Sequence, residues 1–168
     1  MAIVNVPVDI EKLKRSQFIS FLNTTPSAES ENFELIGVGV ADYGIDMNPS
    51  VDNEKWICED NSRTDHKSNQ KQSSVSQKCY KNDPVFEFVY NGMDKLNYKS
   101  TVIDIDTWKK VGTAYKAKKS SVIIAITKYM GEEATIEYDL YYDGDSIEGT
   151  VEISNGKPVF TPDTPVSL

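Results

Sequence analysis

The 168-residue sequence predicts a mainly β protein, an antiparallel β-sandwich or barrel with one flanking α-helix and a long protruding loop. Three observations lead there. Roughly seven strand-like runs are separated by turn signals at the spacing typical of antiparallel sheets. One segment alone carries the chemistry of a helix start. One polar stretch, 59–77, holds a single branched apolar residue, Val75, and no aromatic, so it has almost nothing to bury.

Residues 9–22, D-I-E-K-L-K-R-S-Q-F-I-S-F-L, mix apolar and basic positions and read as a short helix or an irregular arm, so 1–22 is an N-terminal arm in this reading. After a polar loop at 23–32, F-E-L-I-G-V-G-V-A-D over 33–42 reads as a strand, with Gly37 and Gly39 on one face where a neighbour can approach closely. A second strand is expected over 45–57, through Trp56. Strand signals at 55–58 and 74–80 then bracket the polar stretch, predicting a protruding hairpin loop over 59–78 that is either disordered or ordered from outside the monomer.

Asn82-Asp83-Pro84 opens the helix: Asp83 can cap it and Pro84 suits its first position. Val85, Phe86, Val89, Met93 and Leu96 share a stripe, and Gly92 is expected to weaken the helix without ending it. Strands follow at 101–108 and 121–129, the second a nearly continuous apolar run of the kind covered on both faces. In 134–142, Ala134, Ile136, Tyr138, Leu140 and Tyr142 alternate with Thr135, Glu137, Asp139 and Tyr141. Ile147, Gly149, Val151 and Ile153 alternate in the same way, and Asp143-Gly144-Asp145 between the runs reads as a hairpin turn. The proline-rich end gives an edge strand at Val159 and Phe160, then an exposed tail, 161–168.

The length suits one domain, 1–168, and no apolar run approaches the roughly 18 residues of a membrane helix. The N-terminal residues lack a basic region followed by an apolar stretch, so a cytoplasmic start and no membrane partner are expected. Cys58 and Cys79 are too few for a disulfide framework and read most simply as reduced thiols. The charge is unevenly placed. Residues 131–168 hold nine acids against Lys157 alone and account for the whole net charge of -8, while the first 130 residues are balanced. Carboxylate-bearing strand faces repel phosphate, which argues against direct nucleic-acid adhesion.

No catalytic constellation stands out. His66, the only histidine, lies in the polar loop with no apolar pocket to tune it, and one histidine with two distant cysteines is no zinc site. Gly37-Val38-Gly39-Val40 lacks the third glycine and following helix of a dinucleotide loop. Glu137 and Asp139 share a strand face, but a glycosidase needs a cleft and one acid in an apolar pocket. Asp143, Asp145 and Glu148 lack calcium-loop spacing. No catalytic residue, metal or cofactor is therefore expected. Lys109, Lys110, Lys116, Lys118 and Lys119 form a basic stretch with three readings: phosphate contact, a solvated loop, or an inter-subunit contact with the acidic C-terminal third.

The order of an N-terminal arm, F-E-L-I-G-V-G-V-A-D, M-N-P-S-V-D-N-E-K-W-I-C-E-D-N-S, a polar loop, S-V-S-Q-K-C-Y-K-N-D-P-V-F-E-F-V and an acidic strand-rich end resembles the tail tube (major tail) proteins of tailed bacteriophages. The most specific parts are N-P-x-V-x-x-E-K-W-I and Y-K-N-D-P-V-F-E-F; the later strands match in pattern only. The resemblance implies hexameric rings that stack into a hollow tube in the virion tail, assembled in the bacterial cytoplasm. It implies contacts with other tail proteins (tape measure, terminator, baseplate or tip) and DNA that passes without specific binding. The long loop and terminal arms would join stacked rings, with Arg63, Asp65, His66, Lys67 and Lys71 as candidates on the loop. Glu133, Glu137, Asp139, Glu148 and Glu152 are the candidates for lumen or subunit joints, and Lys109, Lys110, Lys118 and Lys119 their basic partners. Two other functions fit the same features: a tube subunit of a phage-tail-like bacteriocin or secretion system, and a carbohydrate- or protein-binding β-sandwich built around Trp56, Trp108 and the tyrosines at 138, 141 and 142.

Overall fold

A computed structural model describes residues 10–163. The outer parts of the expected N-terminal arm (1–22) and C-terminal tail (161–168) lie outside the described residues. The elements in order are β1 (Phe18–Asn23), β2 (Phe33–Leu35), β3 (Pro49–Glu54), β4 (Arg63–Asn69), β5 (Gln72–Lys78), α1 (Pro84–Asn91), β6 (Tyr98–Val111), β7 (Ala114–Gly131), β8 (Thr135–Ser154) and β9 (Lys157–Pro162). The fold is mainly β, with 58% of the described residues in strands and 7% in helix, and has one nearly closed, barrel-like antiparallel sheet. Its strand order is β2-β1-β6-β7-β8-β5, and β9 pairs with the second half of β8. An ion pair from Lys157 to Glu34 spans β9 and β2, and single bridges Val40 to Gln77 and Asp46 to Gln72 tie the segment after β2 to β5.

Residues 18–22, expected as helix or arm, are instead a strand inside the sheet, paired with β2 on one side and β6 on the other. The reason is apolar content on both faces. Phe21 and Leu22 are neighbours in sequence yet belong to different core clusters, as do Val102 and Ile103 opposite them. One cluster centres on Leu22, Val102, Val122, Tyr138 and Leu140 beneath α1; the other on Phe21, Ile103, Ile105, Ala117 and Val151. The apolar run at 121–129 is covered on one face only: Val122 and Ile124 are buried, while Ser121, Ala125 and Thr127 are exposed.

The hairpin expected at Asp143-Gly144-Asp145 does not form, because β8 runs through it as one 20-residue strand beside β7. Lys119 faces Ile147 while Ser121 faces Asp143, so two extra residues bulge from β8, with Gly144 at φ 79°. Two extra residues keep the alternation in phase, and the buried face changes along β8, from the cluster beneath α1 to the other cluster. Ile136, Tyr138 and Leu140 are buried before the bulge, Gly149 and Val151 after it. Gly149 is required there because a Cβ would lie 2.3 Å from the Thr161 carbonyl of β9.

Helix α1 starts as expected. The Asp83 carboxylate accepts from the Val85 amide at 3.2 Å, and Pro84 follows. It ends at Asn91 with Gly92 as its cap, so Gly92 does end it, and only glycine fits there because a Cβ would lie 2.0 Å from the Tyr98 ring. Leu96 consequently leaves the apolar stripe and is almost fully exposed. The strand expected over 33–42 stops at Leu35, and the one over 45–57 is confined to β3, with Trp56 beyond its end. The expected loop 59–78 is corrected most. It contains β4 and β5, and β5 is an integral strand that buries Ser73, Val75 and Gln77 against β8.

Candidate assembly surface

What projects from the body is a β-hairpin, β3 and β4 with the turn 55–62 at its tip. Every residue of both strands is exposed, because none lies opposite a core cluster and the alternation is polar on both faces. The tip is ordered by its own chemistry. The Arg63 guanidinium donates to Glu59, with Nε 3.0 Å from both carboxylate oxygens, and stacks over the Trp56 ring at 4.0 Å. This clamp leaves Ile57 fully exposed, with Trp56 and Val51 half exposed along the same arm.

Of the loop candidates, Arg63, Asp65, His66 and Lys67 lie on β4. Asp65 pairs with Lys67 at 3.3 Å, and the His66 Nε2 lies 2.8 Å from the Asn69 side-chain oxygen. Lys71 sits instead at the root, where its Nζ donates to the Ser146 hydroxyl at 3.2 Å. Sequence reasoning missed Val51 and Ile57, and singled out Trp56 only for a binding platform with Trp108 and the tyrosines. The signal was present in N-E-K-W-I-C-E-D-N-S, where two large apolar residues stand among charges next to a turn-forming run.

The acidic candidates divide into paired and unpaired groups. Glu133, in the turn after β7, pairs with Lys78 at 2.9 Å, and that hydrogen bond holds its carboxyl below the usual range. Glu148 pairs across the sheet with Lys118 at 3.2 Å. Glu152 accepts only from the Thr113 hydroxyl, at 2.8 Å. Asp139 accepts from Ser74 at 2.7 Å and from Tyr141 at 3.1 Å, and Glu137 lies opposite Ser76 and Lys128. Among the described residues Glu137, Asp139 and Glu152 have no ion-pair partner.

The basic stretch is not a loop. It lies on β6 and β7, on either side of the Gly112-Thr113 turn. Lys116 pairs with Asp163, and Lys119 pairs with Glu31 at 2.6 Å. Together with the Glu148–Lys118 pair, part of the contact between basic stretch and acidic third is therefore made within one chain, by the β7–β8 register. Lys109 and Lys110, near the turn, are exposed and without an ion-pair partner among the described residues.

Beside the root of the arm lies a half-open groove of about 250 Å³, between β1 and the segment around Tyr43 to Ile45. Asp104 lies along its floor. One carboxylate oxygen accepts from Ser20 at 2.6 Å and the other from the Tyr142 hydroxyl at 2.9 Å, and Tyr142 lies 3.3 Å from the Tyr43 hydroxyl. Burial pushes the Asp104 carboxyl above the usual carboxylate range. Burial, and then the charge of Asp104, push the Tyr43 phenol up to about 12, and the same two causes raise Tyr142. The Ser73 hydroxyl is buried near Tyr43 without a hydrogen bond of ordinary geometry. These contacts fasten β1, β6, β8 and the segment leading into the arm at one point. Among the described residues no group of three or more His, Cys, Asp or Glu side chains is placed to hold a metal ion.

No protein family and no curated protein matches the chain.

Proposed function

We propose that the chain is the structural subunit of a phage tail tube, with six copies forming a ring and rings stacking into a hollow conduit for DNA during ejection. The observation that carries this reading is the β3–β4 arm. A two-stranded hairpin is marginal by itself in water, and this one buries none of its strand residues in its own chain. Its two outer rows of backbone groups, left free by the β3–β4 pairing, and its apolar tip gain protein partners only when another molecule covers them. The resemblance of N-P-x-V-x-x-E-K-W-I and Y-K-N-D-P-V-F-E-F to tail tube proteins supplies the kind of assembly.

The unpaired carboxylates support the conduit role. A wall that attracted each phosphate would hold the duplex through contacts summed along the tube, whereas Glu137 and Asp139 on an outward sheet face repel it. Lys109 and Lys110 then remain the basic side chains free to meet a neighbour at a joint. The subunit would sit in the virion tail, meeting tape measure, terminator and baseplate or tip proteins at the tube ends.

Changing Glu137 and Asp139 together to lysine tests this. Both side chains are outward, so the fold is expected to survive, while particles either fail to assemble or release DNA more slowly, with a steeper salt dependence. Normal assembly with unaltered ejection kinetics would place these carboxylates on the outside of any tube and remove them from genome passage.

A further inference from the structure

The arm ends in an exposed apolar tip, and the body carries a groove lined mostly by apolar surface. Resting on the tube reading, we infer that Trp56 and Ile57 at the tip of one copy seat in the groove beside β1 of a second copy, walled by Phe18, Ile19, Tyr43 and Ile45.

Three observations lead to this pairing. The first is shape. The groove, about 250 Å³ and lined mostly by apolar surface, is below the roughly 300–1,000 Å³ of small-molecule pockets. A cavity of roughly 150 Å³ already accepts a benzene-sized group, so this one suits one or two side chains. Phe18 and Ile45 on its walls are more than a third exposed, which is the area a seated apolar tip would remove from water.

The second is charge. On the arm, Glu59 neutralises Arg63 and Asp65 neutralises Lys67, leaving Asp52, Glu54 and Asp60 against Lys55. At the entrance to the groove, Arg15 bonds only to backbone carbonyls, those of Phe18 and Tyr43, so its charge is not cancelled. Lys12 and Lys14 stand beside it with Glu11, and Asp106 lies at one end of the groove. Arg15, Lys12 and Lys14 against Glu11 and Asp106 leave the rim one charge positive above the buried Asp104, while the arm is two charges negative, which favours encounter in this orientation over tip against tip.

The third is placement. The groove wall at Ile45 adjoins Asp46, which bridges to Gln72 at the root of the arm. The tip lies at the far end of a six-residue strand, on the order of 20 Å away at strand rise. Knob and socket lie at opposite ends of one extended arm, so the knob is out of reach of its own socket. The contact between copies is heterologous, so each added copy exposes a new tip and a new groove, and the series propagates.

Cys58, free, exposed and next to Ile57, provides the test. In full-length protein carrying Cys79→Ser, Ile45→Cys is added and the sample is treated with a short bis-maleimide that joins nearby thiols. The expected result is a covalent ladder of trimers and larger species, lost when Cys58→Ser or Ile57→Asp is added. Ile57 is fully exposed, so the aspartate does not threaten the fold. The parent with Cys58 alone should give nothing beyond a dimer. Only monomer, or only the dimer seen in the parent, would overturn the inference. Tubes in the microscope without a ladder would reject this socket while leaving the tube reading intact; a ladder without tubes would reject the tube reading and keep the socket.

Discussion

Replacing residues 49–69 by the dipeptide Asn-Gly, so that Asn48 and Gln70 flank a two-residue turn, is expected to leave a folded chain that no longer polymerises. The ends of the excision are already hydrogen-bonded: the Gln70 amide donates to the Asn48 carbonyl at 3.2 Å, and the Asn48 side-chain amide donates to the Gln70 carbonyl at 3.1 Å. No residue of either core cluster lies within 49–69, so no apolar burial is lost, and a shorter connection lowers the entropic cost of closure slightly. Melting should shift by no more than about 2–4 °C, the effect of roughly 1 kcal/mol in a chain of this size. Sedimentation should show monomer at every concentration. A cut over 61–72 would be a different experiment. It removes Gln72, which bridges to Asp46 and pairs with Tyr141, and so injures β5 along with the arm. Tubes of normal length from the 49–69 excision would show that the arm has no part in stacking.

The second large effect is expected inside the body. Gln77, almost fully buried on β5, donates to the Asp83 carboxylate at 2.6 Å and to the Val38 carbonyl at 3.1 Å, and accepts from the Tyr138 hydroxyl at 3.0 Å. Through Asp83 it reaches the cap of α1. Gln77→Ala leaves a buried hydroxyl, a carbonyl and a carboxylate oxygen short of a partner, at roughly 1–3 kcal/mol for each group left unsatisfied. A loss of about 3–5 kcal/mol is expected, enough to lower the melting temperature by roughly 10 °C or more. Tyr138→Phe, which removes one hydrogen bond and keeps the ring, should lose about 1–2 kcal/mol. Thermal unfolding of the two variants checks this. Equal and small shifts would mean that the network does not fasten α1 to the sheet.

What could be read before folding, and what could not, follows from how far apart the deciding residues are. The start of α1 was legible because Asp83 and Pro84 act on the next turn of backbone. The first half of β8 was legible because one face is buried and the other is not. Asp143-Gly144-Asp145 misled because the same local chemistry serves a turn and a bulge, and the choice is made by 18 residues of β7 running alongside. β1 was hidden because Phe21 and Leu22 are both buried, on opposite faces, which erases the alternation. The arm was half hidden for the opposite reason: β3 falls within the strand expected over 45–57, but no face of β4 is buried, so β4 resembled a loop. Among the charged candidates, residue type was legible and partnership was not. That Lys118 meets Glu148 and Lys119 meets Glu31, while Lys109 and Lys110 meet no acid, depends on cross-strand register.

Assembly into a tube is the central claim, and electron microscopy of the purified full-length protein across a concentration series tests it most directly. Monomers are expected when dilute and hollow tubes of stacked six-membered rings when concentrated. A sample that stays monomeric at the highest concentration, without rings or tubes, would contradict the claim.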